Sequence, residues 1–86
     1  MTNDVIEKYV APRRLLEKEI KIRFRQRNDM TGIFINGNDY DELKSKNFWR
    51  IVTGSNIEMW KKTKDVNLTR IFNGVEFTKL SDVQKS

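Results

Sequence analysis

From Glu19 to Arg27 the side chains follow a period of two, with apolar residues on one side and cations on the other, and no other feature of the sequence constrains the fold as strongly. Ile20, Ile22 and Phe24 recur at every second position, which is the spacing of one face of a β-strand. The opposite face carries the cations Lys21, Arg23, Arg25 and Arg27. A helix would instead align Leu16 with Ile20 but would leave Ile22 on its polar side, so we favour a strand.

A second strand is predicted to follow directly, so that residues 19–36 form a basic β-hairpin. Asn28-Asp29 is a typical turn pair. Residues 30–35 form a short, mostly apolar run that ends at Asn36-Gly37, as expected for a strand bounded by turns.

The segment before the hairpin, residues 1–18, is predicted to be helical. Asp4 is expected to cap the helix, with Glu7 three positions later completing a capping box. Pro12 interrupts the segment, because proline in a helix interior removes a hydrogen bond. We expect it either to end the first helix or to begin another.

Residues 39–52 give the clearest helix prediction in the chain. Asp39 is placed to cap the helix while Glu42 reaches back, and Gly54 suits the position just past its end. The apolar stripe of this helix consists of Tyr40, Leu43, Phe48, Ile51 and Val52.

A second helix is predicted directly after the first. Residues 55–58 repeat the capping-box spacing, with Ser55 at the cap and Glu58 three positions later, which indicates a helix that runs through Thr63. A strand over residues 56–61 is the alternative.

The last predicted element is a β-hairpin over residues 68–80. Asn73-Gly74 is a pair that tight two-residue turns prefer. Such a turn would place Phe72 opposite Val75, Arg70 opposite Phe77 and Thr69 opposite Thr78. Residues 81–86 are expected to form a mobile tail. The 86 residues are thus predicted to form a single small α+β domain, in which residues 39–80 are a helix-helix-hairpin unit.

The chain contains no histidine and no cysteine, which argues against catalysis and against a metal centre. Histidine is the commonest general base, and both residues are the usual zinc ligands. The cluster Asp39, Asp41 and Glu42 has the spacing of a helix start and is assigned to capping rather than to Mg²⁺. We therefore expect a protein that is not an enzyme and uses no cofactor. The sequence shows neither a signal peptide nor a long apolar run, so the cytoplasm is the expected location and no membrane partner is expected.

Charge points instead to binding, because 17 lysines and arginines exceed 12 aspartates and glutamates and give a net charge of +5. Two helices followed by a hairpin is the order of elements in a winged helix-turn-helix. Residues 39–82 resemble the excisionase and MerR-type family of such domains. The resemblance rests on Ser55 at the start of the second helix, on residues 60–62 within it, on the distance from Ser55 to the Asn73-Gly74 turn, and on Ser81-Asp82 after that turn.

The resemblance implies that the second helix enters the major groove of duplex DNA while the hairpin contacts the backbone. Arg70, Asn73 and Lys79 would then act from the wing. The residues expected to bind nucleic acid are Lys21, Arg23, Arg25, Arg27, Asn56, Lys61, Lys62, Lys64 and Arg70. The expected function is that of a small DNA-binding regulator or excisionase-like accessory factor, and RNA is the less favoured nucleic acid.

The alternative is a protein–protein interaction module or inhibitor that docks on an acidic protein surface, as in proteins from mobile elements. In that case Trp49 or Trp60 would be exposed and would anchor the complex. We favour a packing role for both tryptophans, because a domain this small needs aromatic area in its core. The conformation of residues 56–63 separates the two hypotheses, since a helix there favours DNA binding and a strand favours the interaction module.

Overall fold

The computed structural model of the protein describes residues 1–83, and within them five antiparallel strands and three α-helices form an α+β fold. The helices are α1 (Asn3–Arg14), α2 (Tyr40–Ser45) and α3 (Ile57–Thr63). The strands are β1 (Ile20–Phe24), β2 (Met30–Phe34), β3 (Phe48–Thr53), β4 (Arg70–Asn73) and β5 (Phe77–Asp82). The predicted fold class and the β1–β2 hairpin are confirmed, but two other predicted elements are replaced.

The sheet curls into a partly open barrel. Its strand order is β4-β3-β2-β1-β5, so β4 and β5 lie at opposite edges, yet a 3₁₀ turn of three residues, Gly74–Glu76, joins them. A flat sheet would separate these edges by about 19 Å, and so short a connection reaches only about 14 Å. The edges must therefore approach, and the rings of Phe24 on β1 and Phe72 on β4 accordingly lie 5.8 Å apart.

The inside of the barrel holds the larger of two apolar clusters. α1 closes it with Ile6 and Val10, which are both fully buried. The remaining buried members are Ile20, Ile22, Phe24, Phe34, Tyr40, Trp49, Ile51, Phe77 and Leu80. Every strand except β4 contributes a fully or nearly fully buried residue to this cluster, and β4 adds the half-buried Phe72.

The second cluster lies on the opposite face of β2 and β3, where α3 covers it. Ile57 and Trp60 of α3 belong to one buried group with Ile33, Ile35 and Val52. Because β2 and β3 also supply the barrel interior, these two strands are buried on both faces and connect the two clusters.

The helix predicted over residues 39–52 is wrong beyond Ser45. Asn47 adopts a left-handed conformation with φ 61°, and residues 48–53 form β3 instead. Five of these six residues are aromatic or β-branched, which suits a strand packed on both faces. The capping box is also wrong, because Asp39 stands at the N-cap of α2 but its carboxylate binds Arg50 instead of the helix amides.

The hairpin predicted over residues 68–80 is wrong as well. Asn73 Oδ1 accepts a hydrogen bond from the amide of Val75 at 3.0 Å, which starts a 3₁₀ turn in place of a two-residue turn. β5 then pairs with β1 rather than with β4. The observed pairing is favoured because it buries Phe77 completely, with its ring edge-on to Phe24 inside the barrel.

α3 confirms the second predicted helix and excludes the strand alternative over residues 56–61. The helix begins at Ile57, so Asn56 rather than Ser55 holds the N-cap position, and no side chain caps it. A 3₁₀ turn over Gly54–Asn56 precedes it. β3 lies between α2 and α3, so the two helices do not follow each other directly. The winged-helix resemblance rests on two adjacent helices followed by a hairpin, and the order of elements in the structure differs from that.

α1 extends past Pro12, where the sequence predicted a break. The helix follows an N-cap at Thr2, so Asp4 lies in its first turn and does not cap it. Pro12 stands two residues before the end at Arg14 and therefore disturbs only the last turn.

At the other terminus, Ser81 and Asp82 belong to β5 rather than to a tail, and residues 84–86 of the predicted tail lie outside the described residues. Between residues 1 and 83, no helix combines the length and the apolar character that a bilayer crossing requires.

Candidate nucleic-acid interface

The cations predicted on one face of β1 divide into two groups. Lys21 and Arg23 are exposed on the outer face of the strand. Arg25 and Arg27 lie beyond its end, in the loop before β2, so the prediction of four cations on one strand face is wrong. The register of the β1–β5 pairing shifts between Arg23 and Phe24, and β1 ends directly after this irregularity, at Phe24.

β5 adds a third cation beside Lys21 and Arg23. The pairing places Lys79 directly opposite Arg23, and directly opposed side chains share one face of a sheet. Asp29 lies 3.4 Å from Arg23 Nε and 3.8 Å from Lys21 Nζ. Among residues 1–83 it is the one carboxylate within ion-pair distance of these three cations, so the group keeps a net positive charge.

Lys61 of α3 borders the same region. It lines a depression of about 440 Å³, and a second depression of about 550 Å³ is lined by the three strand cations. The two depressions have residues 82–83 in common and are therefore adjacent. We refer to Lys21, Arg23, Lys61 and Lys79 as the basic surface.

Asp82 lies beside the basic surface, but its carboxylate is already paired with a cation of α1. Its Oδ1 accepts hydrogen bonds from Arg13 Nε at 2.8 Å and from the Tyr9 hydroxyl at 2.6 Å. These contacts, Arg13 foremost, lower the pKa of Asp82 to about 2. The carboxylate therefore stays ionised and paired with Arg13 at neutral pH, and it offsets little of the charge on the basic surface.

The other residues predicted to bind nucleic acid lie at separate positions and do not extend the basic surface. Lys62 is exposed on α3. Lys64 follows α3 and binds Glu17 at 2.5 Å, so its charge is paired. Asn56 is half-buried at the start of α3. Arg70 lies on β4, which pairs with β3 and with neither of the two strands that carry Lys21, Arg23 and Lys79.

Two further residues were expected to act together from a wing, Asn73 and Lys79. Asn73 uses its side chain within the 3₁₀ turn, whereas Lys79 lies on β5 beside Arg23. The position of Lys79 opposite Arg23 was not predicted from the sequence. Strands that are distant in sequence make this pairing, and no local pattern indicates it.

The carboxylates considered for Mg²⁺ each lie beside a cation. Asp39 binds Arg50 at 2.6 Å, and the hydrogen bond from Arg50 lowers the pKa of Asp39. The other two pairs are Asp41 with Lys44 and Glu42 with Lys46. Across residues 1–83, no three metal-ligating side chains come close enough together to hold an ion.

Neither tryptophan is available as a surface anchor. Trp49 is 2% exposed and Trp60 is 8% exposed, which confirms their predicted packing role. Trp49 Nε1 donates a hydrogen bond to Asn47 Oδ1 at 2.9 Å.

A cleft of about 650 Å³ beside Trp60 has the exposed residues Leu15 and Val66 in its lining.

Comparison with known proteins adds no relative: no protein-family model matches the chain, and no match was found among curated proteins or solved structures.

Proposed function

We propose that the protein binds nucleic acid through the basic surface and catalyses no reaction. The observation that carries the proposal is the juxtaposition of Lys21, Arg23 and Lys79 on one face of two paired strands. Like charges at opposed positions destabilise a sheet, so a ligand that supplies negative charge would relieve this cost. A nucleic-acid backbone supplies such charge at regular intervals.

The helical conformation of residues 57–63 also favours nucleic acid over the alternative, an acidic protein surface. Lys61 and Lys62 are exposed on this helix. A protein complex usually depends on a few large aromatic or arginine anchors, and both tryptophans expected in that role are buried. Phosphate binding needs no such anchor, because charge and hydrogen bonding supply its energy.

The test is a titration of fluorescently labelled DNA and RNA, each single-stranded and double-stranded, over a series of salt concentrations. The test variant combines Lys21→Ala, Arg23→Ala and Lys79→Ala. We expect its affinity at low salt to fall at least about tenfold, and the slope of log K against log salt to decrease by about three, one for each lost phosphate contact.

A matched variant combines Lys8→Ala, Lys46→Ala and Arg70→Ala, which removes the same charge from α1, from the end of α2 and from β4. It should lose much less affinity, because long-range attraction is screened over about 10 Å at ordinary salt. Absence of binding to every probe at low salt would refute the proposal, as would equal losses in the two variants. An acidic protein partner retained after nuclease treatment would support the alternative.

A further inference from the structure

A small pocket opens at the mouth of the barrel, at the end of β1 that follows Arg23. It measures about 310 Å³ and lies between the loop that follows β1 and the end of β4. Its lining consists of Phe24, Gln26, Arg27, Phe72, Asn73 and Glu76. The Arg27 guanidinium carbon lies 5.5 Å from the ring centre of Phe24 and 5.9 Å from that of Phe72. We refer to this site as the Arg27 pocket.

The Arg27 guanidinium is held over aromatic rings rather than by a carboxylate. Among residues 1–83, no acidic side chain lies within ion-pair distance of Arg27. Phe72 is half-buried, so part of its ring remains accessible. A planar guanidinium beside a partly accessible ring is a surface on which a flat, aromatic ligand can stack.

We infer that the Arg27 pocket takes one unstacked base of a single-stranded nucleic acid whose backbone lies on the basic surface. This inference rests on the proposed function. The volume suits a small planar group. The side-chain amide of Gln26 offers donors and an acceptor for a base edge, and Asn73, whose Oδ1 accepts from the Val75 amide, offers its Nδ2 as a donor. Base stacking on aromatic and arginine side chains is a general means of binding single strands.

The position of the pocket supports a nucleotide over a free aromatic molecule. Arg23 of the basic surface and Phe24 of the pocket are consecutive residues at the end of β1, the first on its outer face and the second on its inner face, so a nucleic-acid strand that passes over this end of β1 meets both. The loop that follows β1 is fixed to the turn before β5, because Arg25 Nε donates to Val75 O at 3.1 Å and the Arg25 amide donates to Glu76 O at 3.0 Å. The phosphate-binding cations and the base pocket therefore lie on one ordered segment.

The pocket favours a single-stranded nucleic acid over a duplex. A base inside a duplex is stacked on both sides and would have to be extruded at a cost in free energy, whereas a single strand presents its bases freely. Duplex DNA would thus contact the basic surface alone and would gain nothing from the Arg27 pocket.

The experiment compares three probes of about 12 nucleotides, a length within the range that small single-strand-binding domains cover. The probes are oligothymidine, a strand of the same length with abasic sites throughout, and a duplex. We expect wild-type protein to bind oligothymidine about tenfold or more tightly than the abasic strand, which corresponds to stacking of a single base. The affinity for the duplex should be the same for wild-type protein and for variants of the pocket, because the duplex contacts the basic surface alone.

The test variants are Arg27→Lys, which keeps the charge but removes the planar group, and Phe72→Leu, which keeps an apolar side chain but removes the ring. Each should lower the affinity for oligothymidine to that for the abasic strand and leave the abasic affinity unchanged. Arg23→Lys is the control, because it changes an arginine on the basic surface and should leave the ratio of the two affinities unchanged. Chemical unfolding of each variant establishes that it is folded.

The outcomes separate the inference from the proposed function. Equal binding of oligothymidine and the abasic strand would overturn the inference and leave the proposed function standing, and so would a duplex affinity that falls with the pocket substitutions. A preference for oligothymidine that survives both pocket substitutions would overturn it too. Failure of all three probes to bind at low salt would remove both.

Discussion

Asn47 shows how one residue redirects the chain at a place where periodicity predicts a continuous helix. Its left-handed backbone, with φ 61°, follows α2. Its Oδ1 accepts from Trp49 Nε1 and its Nδ2 donates to the carbonyl of Met1, each at 2.9 Å. Its own carbonyl accepts from the Gly74 amide at 2.8 Å. Asparagine tolerates this conformation better than other non-glycine residues, and here it also joins β3, the N-terminal residue Met1 and the turn before β5.

We predict that Asn47→Ala lowers the free energy of unfolding by about 2 to 3 kcal/mol, because it strains a left-handed position and leaves the buried Trp49 N–H unpaired. Asn47→Gly removes the same hydrogen bonds but accepts the backbone conformation, so its loss should be about 1 kcal/mol smaller. Urea unfolding of the two variants measures both values. Identical stabilities for Ala and Gly would show that the backbone conformation contributes nothing.

At the scale of the elements, the strand and the helix that bury one face were predicted correctly, whereas the strand that is buried on both faces was not. β1 keeps its alternation because only its inner face is buried. β3 buries an apolar residue on each face, since Trp49 points into the barrel and Val52 lies under α3. A strand buried on both faces has no alternation to detect, and its apolar positions matched a helical spacing equally well.

The partner of β5 is testable by disulfide formation, because the chain has no native cysteine. The double variant Lys21→Cys with Ser81→Cys places two thiols at directly paired positions and should form an intramolecular disulfide on mild oxidation, since opposed Cα atoms lie within the range that a disulfide spans. Thr69→Cys with Thr78→Cys would be paired only in a β4–β5 hairpin and should remain reduced. Mass spectrometry after thiol blocking reads out both, and the reverse result would favour the hairpin.

For the whole molecule, the decisive feature is that β2 and β3 belong to both apolar clusters. Ile33 and Val52 pack under α3, while Phe34 and Ile51 pack inside the barrel. Unfolding of β2 or β3 therefore removes residues from both clusters at once. The molecule should therefore unfold as one cooperative unit despite having two separate clusters.

The two tryptophans allow a direct test, because Trp49 lies inside the barrel and Trp60 under α3. In Trp60→Phe the remaining fluorescence reports on the barrel, and in Trp49→Phe it reports on the outer cluster. Within each variant we expect the fluorescence and far-ultraviolet circular dichroism transitions in urea to coincide. Separate midpoints in either variant would mean that the clusters unfold independently.

By itself, the sequence determined the properties that short stretches of chain decide. Alternation predicted β1 and its outward cations Lys21 and Arg23, and the spacing of Ser55 and Glu58 predicted a helix where α3 lies, although neither residue caps it. The need for aromatic area predicted the packing of both tryptophans in apolar clusters. The composition likewise gave the net positive charge. Each of these depends on residues that are neighbours along the chain or on the chain as a whole.

Only the tertiary structure decided that residues 48–53 are a strand, that β5 crosses to β1, and that Lys79 therefore lies beside Arg23. The Arg27 pocket depends on the same decision, because the curl of the sheet brings Phe72 to Phe24. The physical reason is burial: the gain from enclosing Phe77 and Trp49 in a barrel exceeds local preferences for a two-residue turn and a longer helix, and burial depends on residues far apart in the sequence.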